Sequence, residues 1–219
     1  MQSPTLSQRI GSRIVRDVKY WFGVESFLYT EDRRILEQRI FRYFLHRTSC
    51  KDILFVGCHW CTRGYNGLFQ NEKNFWTLEV SPARAKYGAT QHIIDKFENL
   101  TKHFAPESLD LILCNGVYDW GLSTGADAEV AFAGCVACLR PGGVLVLGWD
   151  DIEERRPFPL NACESLRALE PFVFPPLATA EYLTNTGYRH TYAFYVKPEP
   201  ATRWRSELHG RLANSRSQQ

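Results

Sequence analysis

The stretch Ile53-Leu54-Phe55-Val56-Gly57 sets the pattern for the middle of the chain: a short apolar run that ends in a small or polar residue. Four further runs follow: Phe75 to Leu78 before Glu79, His92 to Ile94 before Asp95, Leu109 to Leu113 before Cys114-Asn115-Gly116, and Gly143 to Leu147 before Gly148-Trp149-Asp150. Near-continuous apolar strands separated by helical stretches predict a mostly parallel sheet with helices on both faces. Such sheets bind ligands at the carboxyl ends of their strands, so this edge is the candidate site.

Two helical patterns precede the first strand. Residues 6–22 and 30–45 each place apolar side chains at helical spacing, with charged side chains between them. We interpret residues 1–48 as an N-terminal helical cap, which either packs on the core or forms a lid over a neighbouring pocket. Residues 49–199 form the main domain, which ends in a helix-like segment at 181–186 and a strand at 191–196. Residues 200–219 form a polar tail.

Composition limits the classes of protein to consider. The chain has 219 residues, a net charge of +2 and 44% hydrophobic residues, which suffices for one domain with a full core and no structural metal. No apolar run approaches the roughly 18 residues that cross a bilayer, and the first five residues lack the order of a signal peptide. The seven cysteines are odd in number, as expected for reduced thiols. We therefore expect a cytoplasmic protein with no membrane partner.

Metal and nucleic acid are not the expected partners either. The pairs Cys58/Cys61 and Cys135/Cys138 have zinc-like local spacing, but they lie too far apart for a zinc ribbon. Cys135 and Cys138 also fall in an apolar helical pattern, where buried thiols are common. The basic residues after position 200 are sparse for a nucleic-acid contact and fit a solvated terminal segment.

Three strand ends carry residue types that suit a nucleoside. Gly57 allows the backbone to approach a ligand closely. The carboxylate of Glu79 can accept hydrogen bonds from two ribose hydroxyls, and Asp95 can accept one from an adenine amino group. A glycine and two acids in this register predict a nucleoside-binding edge.

The order and spacing of these runs resemble the class I S-adenosylmethionine-dependent methyltransferases over about residues 50–150. The matching stretches are Asp52 to Cys58, Trp76 to Val80, Ile94 to Leu100, Ser108 to Asn115 and Leu139 to Leu145. The resemblance implies a Rossmann-like, seven-stranded, mostly parallel α/β sheet whose last strand is reversed, for which residues 191–196 are the candidate. It also implies S-adenosylmethionine as the cofactor.

The resemblance carries over residue by residue. It implies that Gly57 and the backbone of Cys58 and His59 lie along the methionine moiety, that Glu79 binds the ribose, and that Asn115 and Gly116 face the sulfonium. It further implies that Asp95, Lys96 and Phe97 frame the adenine, and Val80 lies within the matching stretch. The first loop departs from the family because Cys58, His59 and Trp60 stand where glycines are usual. Thr62 and Arg63 are candidates to contact the cofactor's carboxylate in place of backbone groups.

The acceptor of the methyl group is expected to be a small molecule. The loop after the fourth strand lacks the two prolines typical of enzymes that methylate nucleic-acid bases. Tyr118, Trp120 and Trp149 are candidates to wall an aromatic pocket, or else to pack in the core. The candidates for accepting a proton from the acceptor are His59, Tyr118, Asp119, Asp150 and Asp151.

Two other functions stay open on the sequence. A nicotinamide-dependent oxidoreductase also places an acid at Glu79, but the first loop lacks the glycine pattern that cradles a pyrophosphate. A non-catalytic, methyltransferase-like module that binds a partner protein is compatible with the bulky first loop.

Overall fold

The computed structural model describes residues 30–200, which form an α/β structure around one eight-stranded sheet. The strands are β1 (Asp52–Val56), β2 (Asn74–Glu79), β3 (Gln91–Ile94), β4 (Leu109–Asn115), β5 (Leu139–Asp150), β6 (Glu170–Pro171), β7 (Glu181–Leu183) and β8 (His190–Val196). Their order is β3-β2-β1-β4-β5-β8-β6, and β7 pairs with β8 beside this path. The predicted mostly parallel α/β sheet is confirmed, and the eighth strand is the short β7.

The parallel strands end together at one edge of the sheet. Val56 of β1 is level with Leu78 of β2 and Cys114 of β4, and Asn115 is level with Gly148 of β5. Strand β8 is antiparallel to β5, and its first residue, His190, pairs with Asp150. The expected reversed last strand is therefore present, and its amino end reaches the edge where the other strands finish.

The segment 181–186 differs from its predicted helical character. Residues Glu181–Leu183 form β7, and Tyr182 pairs with Tyr192 of β8. Pairing with β8 satisfies backbone groups that a helix of this length leaves without partners. The helical prediction for this segment was wrong because it used only the local sequence pattern and did not include the pairing with β8.

The stretch before β1 packs on one face of the sheet. It comprises α1 (Glu31–Ile35), a π-helical segment (Leu36–Phe41) and α2 (Arg42–Leu45) in direct succession. Four of its apolar side chains, Leu36, Ile40, Phe41 and Phe44, are at most 2% exposed and share a core cluster with strand residues. Residues 31–45 therefore follow the core-packing interpretation rather than that of a lid. The helix expected at 6–22 and the tail lie outside the described residues, and the division into cap, domain and tail stays a prediction.

The remaining helices complete the two layers. Helix α3 (Tyr65–Phe69) lies with α1 and α2, whereas α4 (Gly125–Cys138) and α5 (Glu164–Arg167) cover the opposite face. Short 3-10 turns occupy Trp60–Thr62, Pro82–Tyr87, Phe97–Lys102, Glu153–Arg155 and Leu160–Ala162. Among residues 30–200, no helix is long and apolar enough to cross a membrane.

A buried carboxylate ties three strands together at the opposite, amino edge of the sheet. Asp110 accepts hydrogen bonds from the backbone nitrogens of Lys51 (2.6 Å) and Asp52 (2.8 Å). Its other oxygen lies 2.8 Å from Nε of Arg140 on β5. These contacts fix the start of β1 against β4 and β5, far along the strands from the candidate site.

Candidate functional site at the carboxyl edge

Glu79 joins the ends of β1 and β2. Its Oε2 accepts a hydrogen bond from the backbone nitrogen of Cys58 at 2.9 Å, and its Oε1 accepts one from that of Ser81 at 2.9 Å. The residue is only 4% exposed, so the chain buries a carboxylate at the predicted position. Oε1 also lies 3.7 Å from Nη1 of Arg84. Each carboxylate oxygen has two lone pairs, so these contacts leave acceptor capacity for a ligand.

Two glycines give this edge its backbone shape. Gly57 and Gly116 have φ values of +91° and +73°, a region that favours glycine. A side chain at Gly57 would come within 2.9 Å of Cγ2 of Val117, whereas nothing lies within 4 Å of the corresponding position at Gly116. The turn after β4 is therefore open to a ligand, and the turn after β1 is tightly packed.

Thr62 holds the bulky first loop in shape. Its hydroxyl accepts from the backbone nitrogen of His59 (3.1 Å) and lies 2.9 Å from the carbonyl oxygen of His59 and 3.2 Å from that of Tyr87. The residue is buried, whereas His59 and Arg63 are exposed. The His59 ring stands beside the rings of Trp60 and Tyr87. The Thr62 hydroxyl thus bonds to backbone of the same region.

Asp95 belongs to a separate hydrogen-bonded group after β3. Its oxygens accept from Nδ2 of Asn99 and the backbone nitrogen of Lys96, both at 2.7 Å, and Oδ2 lies 2.7 Å from Nε2 of His103. The bonds from Asn99, His103 and the Lys96 backbone lower the pKa of Asp95 to about 2. Phe97 is buried beside it, whereas Val80, after β2, is 52% exposed. Apolar side chains therefore stand at both strand ends where the sequence places an adenine.

Asn115, His190 and Asp150 form a hydrogen-bonded chain across three strand ends. Nδ1 of His190 lies 2.7 Å from Oδ1 of Asp150, and Nε2 lies 3.0 Å from Oδ1 of Asn115. The His190 side chain is 7% exposed. Asp150 and Asn115 were both predicted as site residues, and the structure brings them together through a histidine.

The sequence interpretation missed His190. The residue precedes the predicted strand 191–196 by one position, and it is 40 residues from Asp150 and 75 from Asn115. The signal was the reversal of the last strand, because an antiparallel strand begins at the edge where the parallel ones end. A polar residue at the start of that strand therefore faces the site.

The other proton-acceptor candidates contact the segment after β5. The Tyr118 hydroxyl donates to the carbonyl oxygen of Phe158, and burial raises the pKa of Tyr118. Asp119 has a φ of +70° and lies 3.4 Å from Nη1 of Arg155. Asp151 binds the guanidinium of Arg156 at 2.6 Å. These groups are held by residues 155–158 at the border of the site.

The three candidate pocket aromatics separate into two environments. Tyr118 and Trp149 are 3% and 8% exposed and belong to the core on the α4 face. Trp120 is 60% exposed, and the guanidinium of Arg155 lies 4.1 Å from the centre of its ring. Trp120 is therefore the member of the set with surface for a ligand.

The cysteines of the described part are free thiols. Burial, followed by the nearby Glu79 charge, raises the pKa of Cys58 to about 12, and burial raises that of Cys61. Cys135 and Cys138 are buried in α4, as predicted. Across residues 30–200, no three His, Cys, Asp or Glu side chains are grouped so as to hold a metal ion.

Solved structures share this fold. N-methyltransferase NodS from Bradyrhizobium japonicum WM9 is 18% identical, with 74% of this chain and 97% of that chain covered and a TM-score of 0.54; it has also been solved with S-adenosyl-L-homocysteine. A TehB-like S-adenosylmethionine-dependent methyltransferase from Corynebacterium glutamicum is 18% identical, with coverages of 74% and 86% and a TM-score of 0.53. The 1,6-didemethyltoxoflavin-N1-methyltransferase of Burkholderia thailandensis is 11% identical, with coverages of 91% and 94% and a TM-score of 0.51.

The chain has the class I methyltransferase fold, including the reversed strand between β5 and β6. No protein-family model and no curated protein matches it. At these sequence identities the likeness concerns the fold, so the chemistry must be argued from the residues of this chain.

Proposed function

We propose that the protein is an S-adenosylmethionine-dependent methyltransferase that acts on a small molecule. The observation that carries the proposal is Glu79, a buried carboxylate at the end of β2 that touches the loop after β1 and keeps acceptor capacity. A ribose with two adjacent hydroxyls uses such a group. The methyltransferase fold, shared at low identity with the solved enzymes, supports the same assignment.

The residues at this edge fit the cofactor. Val80 offers an exposed apolar surface beside Glu79, as a planar base requires, and the open backbone at Gly116 admits a close approach. In the proposal the cofactor-binding residues are Gly57, Cys58, His59, Thr62, Arg63, Glu79, Val80, Asp95, Lys96, Phe97, Asn115 and Gly116. Thr62 acts there by fixing the loop, since its hydroxyl contacts backbone oxygens.

When bound, S-adenosylmethionine supplies a methyl group activated by its positive sulfur. The protein's own contribution to such a transfer is to align the acceptor and exclude water. Trp120 provides exposed aromatic surface at the border of the site, with Arg155 stacked on it. His59, Tyr118, Asp119 and Asp150 remain the candidates to hold a proton of the acceptor.

Calorimetry tests the proposal. S-adenosylmethionine, S-adenosylhomocysteine and NAD are titrated separately into the full chain and into Glu79→Ala, Glu79→Gln and the control Glu72→Ala, which alters an exposed acid. We expect micromolar binding of the two sulfur compounds, about −8 kcal/mol, to weaken at least tenfold in the Glu79 variants only. Unchanged affinity in a folded Glu79 variant refutes the ribose assignment.

The same titrations separate the alternatives. Binding of NAD alone favours an oxidoreductase. Binding of none of the three compounds favours a non-catalytic module that docks a partner protein. The expected cytoplasmic location is part of the proposal and is checked by expressing a tagged full chain.

A further inference from the structure

The hydrogen bonds that connect Asp150, His190 and Asn115 depend on a glycine in the neighbouring strand. The Asn115 side chain reaches His190 by crossing Gly148 on β5, where a Cβ atom would overlap Oδ1 of Asn115. Gly148 is therefore required for this contact. Hydrogen bonds also fix the backbone of His190, because its nitrogen donates to Thr186 and its carbonyl oxygen accepts from Thr184.

Oxygen atoms lie within hydrogen-bond distance of both nitrogens of the His190 ring. Both nitrogens are therefore committed to Asp150 and Asn115, and His190 has no nitrogen free to take a proton from a substrate. It acts instead as a positioning residue for Asn115.

The contact with His190 sets the orientation of the Asn115 side-chain amide. Its oxygen is held by His190, so its nitrogen points away from the histidine. No hydrogen bond within residues 30–200 uses that nitrogen, and it is not among the buried polar atoms that lack a partner. Two N–H donors are thus presented at the end of β4, beside the open turn at Gly116.

We propose that Asn115, oriented by the Asp150–His190 pair, binds an oxyanion, and that the methyl acceptor of this protein is a carboxylate or phenolate-type oxygen. This inference rests on the proposed function. Donors at the transfer site match a lone-pair-bearing oxygen and oppose an amine whose N–H groups need an acceptor. The assignment narrows the acceptor atom, which the sequence leaves open.

A carboxylate acceptor is already ionised at neutral pH and needs no base, whereas a phenol acceptor first loses its proton to water. A lone pair of the acceptor oxygen forms the bond to the methyl carbon, and the carbon–sulfur bond breaks with its electron pair left on sulfur. The negative oxygen and the positive sulfur become a neutral ester or ether and a neutral thioether, and no proton is released. A transfer that releases no proton is consistent with His190, because both of its ring nitrogens already contact Asp150 and Asn115.

The test observes the Asn115 amide directly. Full-length protein labelled with ¹⁵N-asparagine and saturated with S-adenosylhomocysteine is titrated with benzoate and with benzylamine, which have similar shape and opposite charge. We expect benzoate, and not benzylamine, to shift the side-chain NH₂ signals of Asn115 in the millimolar range.

Two variants isolate the positioning role. In His190→Phe the amide loses its partner, and in Asp150→Asn the ring stays while the carboxylate that orients it is removed. Both should weaken benzoate binding at least fivefold, whereas the affinity for S-adenosylhomocysteine, which many other residues support, should fall by less. Asp150→Asn removes a negative charge, so simple charge attraction predicts tighter, and not weaker, benzoate binding in that variant.

Three results overturn the inference: equal shifts from both probes, no shift from either, or undiminished benzoate binding in a folded variant. Failure of the proposed function is a different result, since S-adenosylhomocysteine then fails to bind the wild-type protein in calorimetry. The benzoate titration is repeated in that case without the cofactor product, and the same three results apply to the oxyanion site.

Discussion

Replacing Gly148 with alanine should break the Asn115–His190 hydrogen bond from a position that contributes no side chain to it in the wild type. The new Cβ overlaps Oδ1 of Asn115 and lies 3.0 Å from Cε1 of Tyr192. The amide must rotate away and leave Nε2 of His190 buried without a partner. A buried polar atom left without a partner costs about 1–3 kcal/mol, and a crowded Tyr192 adds about 1 kcal/mol.

We therefore expect Gly148→Ala to lower the free energy of unfolding by about 2–4 kcal/mol. Asn115→Ala alone should cost about 2 kcal/mol, because it removes the same hydrogen bond. The double variant should cost no more than Gly148→Ala, since the clashing atom is absent. The sum of the stability losses in the two single variants should therefore exceed the loss in the double variant by about 2 kcal/mol.

Urea denaturation followed by circular dichroism measures all three variants. Gly67→Ala is the matched control, because nothing lies within 4 Å of its added Cβ and alanine in a helix stabilises by about 0.5–1 kcal/mol relative to glycine. Additive costs in the double variant, or a harmless Gly148→Ala, would refute the proposed contact between Asn115 and His190.

Three further predictions concern other parts of the fold. The pKa of Asp95 is about 2 against an ordinary 3.8, so the interactions of its ionised carboxylate stabilise the protein above pH 4 and this stabilisation is lost as the pH falls toward 2. The free energies of unfolding of wild type and Asp95→Asn should therefore converge in acid denaturation. Because the pKa of Cys58 is about 12, about one thiol in ten thousand is ionised at pH 8, and iodoacetamide with mass spectrometry should find it unmodified until unfolding. Asp110→Ala should cost about 2–4 kcal/mol by orphaning two backbone donors, measured by urea denaturation, and leave S-adenosylhomocysteine binding unchanged.

The strand ends were predictable because a parallel sheet imposes a simple rule. Apolar runs long enough to cross the sheet finish at one edge, so the residues after them meet there. Glu79, Asn115 and Asp150 could be assigned to that edge from their positions alone. The rule depends on backbone pairing, which the apolar pattern encodes.

The direction of each side chain was not predictable, because it depends on partners far away in sequence. Thr62 was expected to face a ligand, but its hydroxyl bonds to backbone oxygens at residues 59 and 87. Asp95 reached the predicted edge, and its carboxylate is bonded to residues that follow it. Both are short polar side chains, which readily bond to nearby backbone or side-chain groups.

The strand topology brings His190 to the site, and the apolar patterns of the individual strands do not predict this. The parallel strands alone bring an amide and a carboxylate to the edge, two groups that cannot bond to each other when the carboxylate is ionised and the amide presents its oxygen. The His190 ring joins them because one of its nitrogens faces each group, and the reversed strand supplies this ring because β8 enters the sheet where β4 and β5 leave it. The orientation of Asn115, and with it the proposed class of acceptor, therefore depends on the antiparallel strand of the fold.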